Sequence, residues 1–133
     1  MQVESQLELL EDGDEVLPNI TAIINGTWHS PGHTIFEISP ASGPKLYYLG
    51  DTLLTEVIGV ENPYFRSLFD TDRPAGAWGR TALLDFLADT KALAVFAHNS
   101  FPATARILRD GLHFRAAKIV PDTVGSLRNT CPA

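Results

Sequence analysis

Thr27-Trp28-His29-Ser30-Pro31-Gly32-His33-Thr34 is the stretch around which the chain is organised. It sets two histidines four positions apart on a Pro-Gly turn. Before it stands Ile20-Thr21-Ala22-Ile23-Ile24 and after it Thr34-Ile35-Phe36-Glu37-Ile38, both rich in the β-branched residues that favour strands. The turn therefore joins two strands. Two further pieces share its character. Leu49-Gly50-Asp51-Thr52 closes the aromatic run Lys45-Leu46-Tyr47-Tyr48, and Phe96-Ala97-His98-Asn99 closes the apolar run Lys91-Ala92-Leu93-Ala94-Val95. Each places an imidazole or a carboxylate at the end of a strand. Zinc takes imidazole nitrogen and carboxylate oxygen, and rigid strand ends can hold such groups in place.

Outward from these pieces, the first half reads as a β meander. A short strand is expected at Gln6-Leu7-Glu8-Leu9-Leu10, where apolar and polar residues alternate. Asp12-Gly13 then signals a tight turn. Residues 52–60 are apolar without a clean period, and Glu61-Asn62-Pro63 opens a short helical or irregular piece reaching Phe69. One main helix is expected from about Arg73 to Ala88. Asp70 and Asp72 read as its caps, Pro74 fits its first turn, and Leu83/Leu87 and Leu84/Ala88 form its apolar stripe. Gly76 and Gly79 weaken its first half by up to about 1 kcal/mol each. Two more short strands, 105–108 and 112–120, flank Arg109-Asp110-Gly111. Residues 1–120 make one domain, and 121–133 a loose, aperiodic tail.

Composition narrows the function classes. A chain of 133 residues is one domain's worth, and its net charge is −6 with no basic cluster. Nucleic acid and an anionic membrane surface both require a basic footprint, so neither is expected as a partner. Cys131 is the only cysteine, so no disulfide can form within the chain. The polar start lacks the basic and apolar regions of a signal peptide, and no apolar run approaches membrane-spanning length. A cytoplasmic location is expected.

Taken in order, several short motifs resemble one family. They are Asp12-Gly13-Asp14, His29-Ser30-Pro31-Gly32-His33, Gly50-Asp51-Thr52, Phe69-Asp70-Thr71-Asp72 and His98-Asn99-Ser100-Phe101-Pro102. Over roughly Leu9 to Arg115 they resemble the C-terminal half of the metallo-β-lactamase superfamily, in the branch of lactonase-like and organophosphate hydrolase-like enzymes. The resemblance implies half of an αββα sandwich, an α/β (α+β) fold with a mostly antiparallel meander and one main helix. It implies zinc, with His29, Asp51 and His98 as metal ligands, Asp51 bridging two ions and His98 on the second. His33 would support from behind the ligands. Trp28, standing where the family often has Gly, would crowd the mouth, and Trp28 and Phe101 are candidate pocket walls. The family's His-x-His-x-Asp-His motif is absent from this chain, so the ligand set is incomplete. The catalytic residues are not assigned.

The implied activity is hydrolysis of a small-molecule lactone, ester or related substrate by metal-activated water. The chain would then need a complementing half or self-association. The alternative is a non-catalytic remnant or interaction module that associates through the sheet face left uncovered. A third arrangement is a single metal held by His29, Asp51 and His98 with water.

Overall fold

The computed structural model describes residues 7–24 and 28–119. Seven strands form one sheet in chain order: β1 (Glu15–Leu17), β2 (Ile20–Ile24), β3 (Thr34–Ile38), β4 (Leu46–Tyr48), β5 (Leu93–Val95), β6 (Thr104–Asp110) and β7 (His113–Lys118). Every neighbouring pair is antiparallel except β4 and β5, which run parallel in the register Tyr47↔Ala94. Two antiparallel meanders are thus joined side by side at one parallel seam. A parallel seam needs a long crossover, and that crossover carries a π-helical turn (Glu56–Glu61) and the one α-helix among the described residues, α1 (Arg73–Thr90). The α+β class read from the sequence is the class observed.

Asp72 is the N-cap of α1, accepting from the Ala75 amide at 3.0 Å, and Pro74 lies in the first turn. Only one of the two acidic residues is a cap. Asp70 is instead buried beneath the helix. The strand expected over 6–10 is not formed in its described part, 7–10, which is exposed. With no neighbouring strand to bond and Leu9 almost fully exposed, alternation there finds nothing to pack on. The irregular piece after Thr52 winds into the π-helical turn, capped by the Thr55 hydroxyl, rather than starting at Glu61. The tail from 121 lies outside the described residues.

The core lies between α1 and one sheet face. Leu83, Leu84 and Leu87 of the helix meet Ile35, Tyr47, Ala94, Ala105 and Ile107 of the sheet. Burying side chains of this size stabilises by about 1.5–3 kcal/mol each. The residues between them in the alternation point the other way. Ile20, Ile38, Leu46 and Leu93 are paired across the strands, as are Ala22, Phe36, Tyr48 and Val95. None of these belongs to the α1-facing core. They form a second apolar sheet face, half-buried for the most part, with Ala22 fully buried and Tyr48 exposed.

Strand direction places the functional side chains. The β2–β3 turn, the end of β4 and the end of β5 all lie at one edge of the sheet, because β3 runs against β2 and β4 while β4 and β5 run together. Histidine and aspartate residues far apart in the chain therefore emerge side by side.

Candidate functional site

His29, Asp51 and His98 meet at that edge. Nε2 of His98 is 2.8 Å from Oδ1 of Asp51, and Nε2 of His29 is 3.5 Å from Oδ2. One carboxylate thus faces one imidazole with each oxygen. Asp51 and His98 are open to solvent, while His29 is mostly covered. The three line a cleft of about 430 Å³ together with Leu54 and Phe69. Trp28 and Phe101 stand elsewhere. The Trp28 indole lies over Gly79 of α1, and Phe101 is 89% exposed, outside the cleft. Leu54 and Phe69 are the apolar walls.

Each of these groups is supported from behind. At His33, Nε2 accepts from the Asp51 amide at 2.9 Å and Nδ1 lies 3.3 Å from the Thr52 hydroxyl. Accepting at Nε2 requires the neutral ring with its proton on Nδ1. Burial holds this imidazole below its ordinary value of 6.5; the neighbouring His29 adds to the shift and Asp51 opposes it. His33 therefore fixes the backbone that carries Asp51. The turn there requires glycine: Gly50 has φ +52°, and a Cβ on it would stand 2.5 Å from Nε2 of His33. On the other side, Asn99 next to His98 bonds Glu56 of the π-helical turn in both directions, at 2.9 and 3.4 Å.

His29 has the deepest support. Its Nδ1 lies 3.1 Å from Oδ1 of Asp70, whose side chain is only 1% exposed. Oδ2 of Asp70 accepts from Nη1 of Arg80 at 2.8 Å, and Arg80 also donates to the carbonyls of Pro63 and Phe65. The carbonyl of His29 accepts from the Thr71 amide at 2.8 Å. Asp70 is expected from the sequence as a cap, and Arg80 has no role in that reading. A signal was present. Arg80 interrupts the run Ala77, Leu84, Leu87 on the buried face of α1, and a buried guanidinium needs an acidic partner.

The donor chemistry can be compared with zinc. A tetrahedral ion at ~2.0–2.2 Å from each donor keeps two donors roughly 3.3–3.6 Å apart. The His29–Asp51 separation suits that spacing. The His98–Asp51 pair is a direct hydrogen bond and would have to open by several tenths of an ångström. Among the described residues no three His, Cys, Asp or Glu side chains are grouped to hold one ion. The donors form two pairs that share Asp51.

Three solved structures share this architecture. AidC, a dizinc quorum-quenching lactonase, matches with a TM-score of 0.77 and 25% identity over 89% of this chain and 40% of its own. The chain's fold is that of the metallo-β-lactamase superfamily. The hydrolase AbOPH of the beta lactamase superfamily matches at 0.72, with 20% identity over 81% of this chain and 36% of its own. A probable metal-dependent hydrolase from Staphylococcus aureus matches at 0.69, with 22% identity over 88% and 42%. The chain thus spans well under half the length of each metallo-β-lactamase relative. No family model and no curated protein matches the sequence. Among the described residues no helix is long and apolar enough to cross a membrane.

Proposed function

We propose that the chain supplies His29, Asp51 and His98 to a dinuclear zinc centre that hydrolyses a lactone, ester or related small molecule. One observation carries the reading: two imidazoles from different strand ends face the two oxygens of one carboxylate. The solved relatives, a dizinc lactonase among them, supply the class of reaction. Zinc in such a centre lowers the pKa of bound water and polarises the bond to be cleaved. The chain's own residues do the remaining work. His29 and Asp51 would hold one ion, and Asp51 and His98 the other. Asp51 would keep the pair together. His33 keeps the Asp51 backbone in place, while Leu54 and Phe69 give the substrate an apolar wall. The rest of the ligands would come from residues outside this chain.

Zinc uptake tests the reading. Dialysis against zinc followed by elemental analysis should leave between about one and two equivalents per chain, two marking a filled centre, and Asp51→Asn should abolish it. Metal far below that level in the unaltered protein overturns the proposal.

A second reading rests on the sheet face turned away from α1, whose residues across β2–β5 are apolar and mostly half-buried. Packed sheets stand face to face about 10 Å apart with side chains interdigitated. A second copy of the chain or a complementing half would cover this face. Sedimentation at increasing concentration should then show association, and a monomer throughout contradicts it.

A further inference from the structure

The interaction behind His29 is more specific than packing requires. An aspartate carboxylate offers only acceptors. Oδ2 of Asp70 is occupied by Nη1 of Arg80 at 2.8 Å, and Oδ1 faces Nδ1 of His29 at 3.1 Å. Arg80 can only donate, so it fixes which oxygen remains for the imidazole. Neither Asp70 nor Arg80 has access to solvent that could substitute for the other, with side chains 1% and 3% exposed. The ring can satisfy Oδ1 in only one way, by carrying its proton on Nδ1. Nε2 is then a bare lone pair, and it is the atom that faces Asp51.

We propose that Asp70, held by Arg80, is a positioning residue that locks His29 in the Nδ1–H tautomer and so keeps Nε2 free to bind metal. The metal-binding clause rests on the function proposed above; the tautomer clause does not. Carboxylates behind a ligating imidazole fix its tautomer and orientation and raise its basicity. The backbone around the pair is shaped to the same end. At Gly76 of α1, an added Cβ would stand 2.7 Å from both Cγ of Asp70 and the Trp28 carbonyl oxygen, so only glycine lets the helix approach this closely.

The test is nitrogen NMR of the histidine rings in the metal-free chain, at a pH where His29 is neutral. His29 should show a protonated Nδ1 and an unprotonated Nε2. An Nε2–H ring or an even mixture overturns the proposal, and this measurement needs no variant. Asp70→Asn gives the second arm. Arg80 would claim the amide oxygen and turn the NH₂ toward His29, so Nδ1 must accept and the proton moves to Nε2. A folded Asp70→Asn that retains the Nδ1–H ring overturns the proposal, because a purely structural role would not move a proton between ring nitrogens. Zinc affinity should fall ~10–100-fold in Asp70→Asn. If neither protein binds zinc, the proposed function fails, and the ring spectra alone decide the role of Asp70.

Discussion

Gly79 of α1 lies directly against the indole of Trp28. A methyl group at its Cα would stand 2.6 Å from Cδ1 and closer still to Cγ. The glycine permits the contact that brings the Trp28-His29 segment onto the helix. Replacing it with alanine sets two effects against each other. Helix propensity improves by about 1 kcal/mol, and overpacking costs about 1–3 kcal/mol. The collision is with a ring wedged between α1 and the sheet, so the cost should win. Chemical denaturation of Gly79→Ala should give a lower midpoint than the unaltered protein. A raised midpoint would show that the indole has room to move.

Arg80 and Asp70 form a buried ion pair at 2.8 Å. Removing one partner strands the other, at a cost of about 3–5 kcal/mol. Arg80→Met should lose that much and also free the Pro63 and Phe65 carbonyls that the guanidinium bonds. Thermal unfolding measures it. A loss under about 1 kcal/mol would place the pair among surface bridges.

Glu37 sits on the helix-facing side of β3 beside Tyr47 and Lys45. Burial alone would raise its carboxyl, but the hydrogen bonds from Lys45, Tyr47 and Ser39 outweigh it and hold it below the ordinary 4.5. A carboxyl lowered by folding stabilises above the unfolded value, and the benefit disappears as pH falls through the folded value. The stability difference between the native protein and Glu37→Gln should therefore be constant at neutral pH and shrink below pH 4.5. A difference independent of pH would contradict the assignment.

Ile38 faces away from α1, paired with Ile20 and Leu46, at the sheet edge opposite the cleft. If the sheet face turned away from α1 associates, Ile38→Lys places a charge within the contact. Sedimentation should show the variant monomeric at concentrations where the native chain associates, with an unchanged circular dichroism spectrum. Equal association in both would direct attention to another surface.

Much of this was legible because it depends on local chemistry. β-Branched runs marked β2 and β3, and Asp72 with Pro74 marked the start of α1 within a residue. The convergence of His29, Asp51 and His98 followed from motif order, before any geometry. What could not be read depends on contacts between distant segments. Arg80 on the buried face of α1 signals a need for an acidic partner, but that the partner is Asp70, ten positions earlier, is fixed only by the docking of the helix. Trp28 looked like an obstruction at the cleft because its destination, the gap above Gly79, exists only once α1 has docked. The π-helical turn has no periodic signature at all in so short a piece.

The parallel join between β4 and β5 also has a kinetic consequence. Each meander on its own pairs neighbours in sequence, a fast process, whereas the join must wait for a segment of more than forty residues to close. Asp51 leaves one side of that join and His98 the other. The cleft is therefore born in the final docking step, and a refolding chain should regain strand content before His98 comes within reach of Asp51.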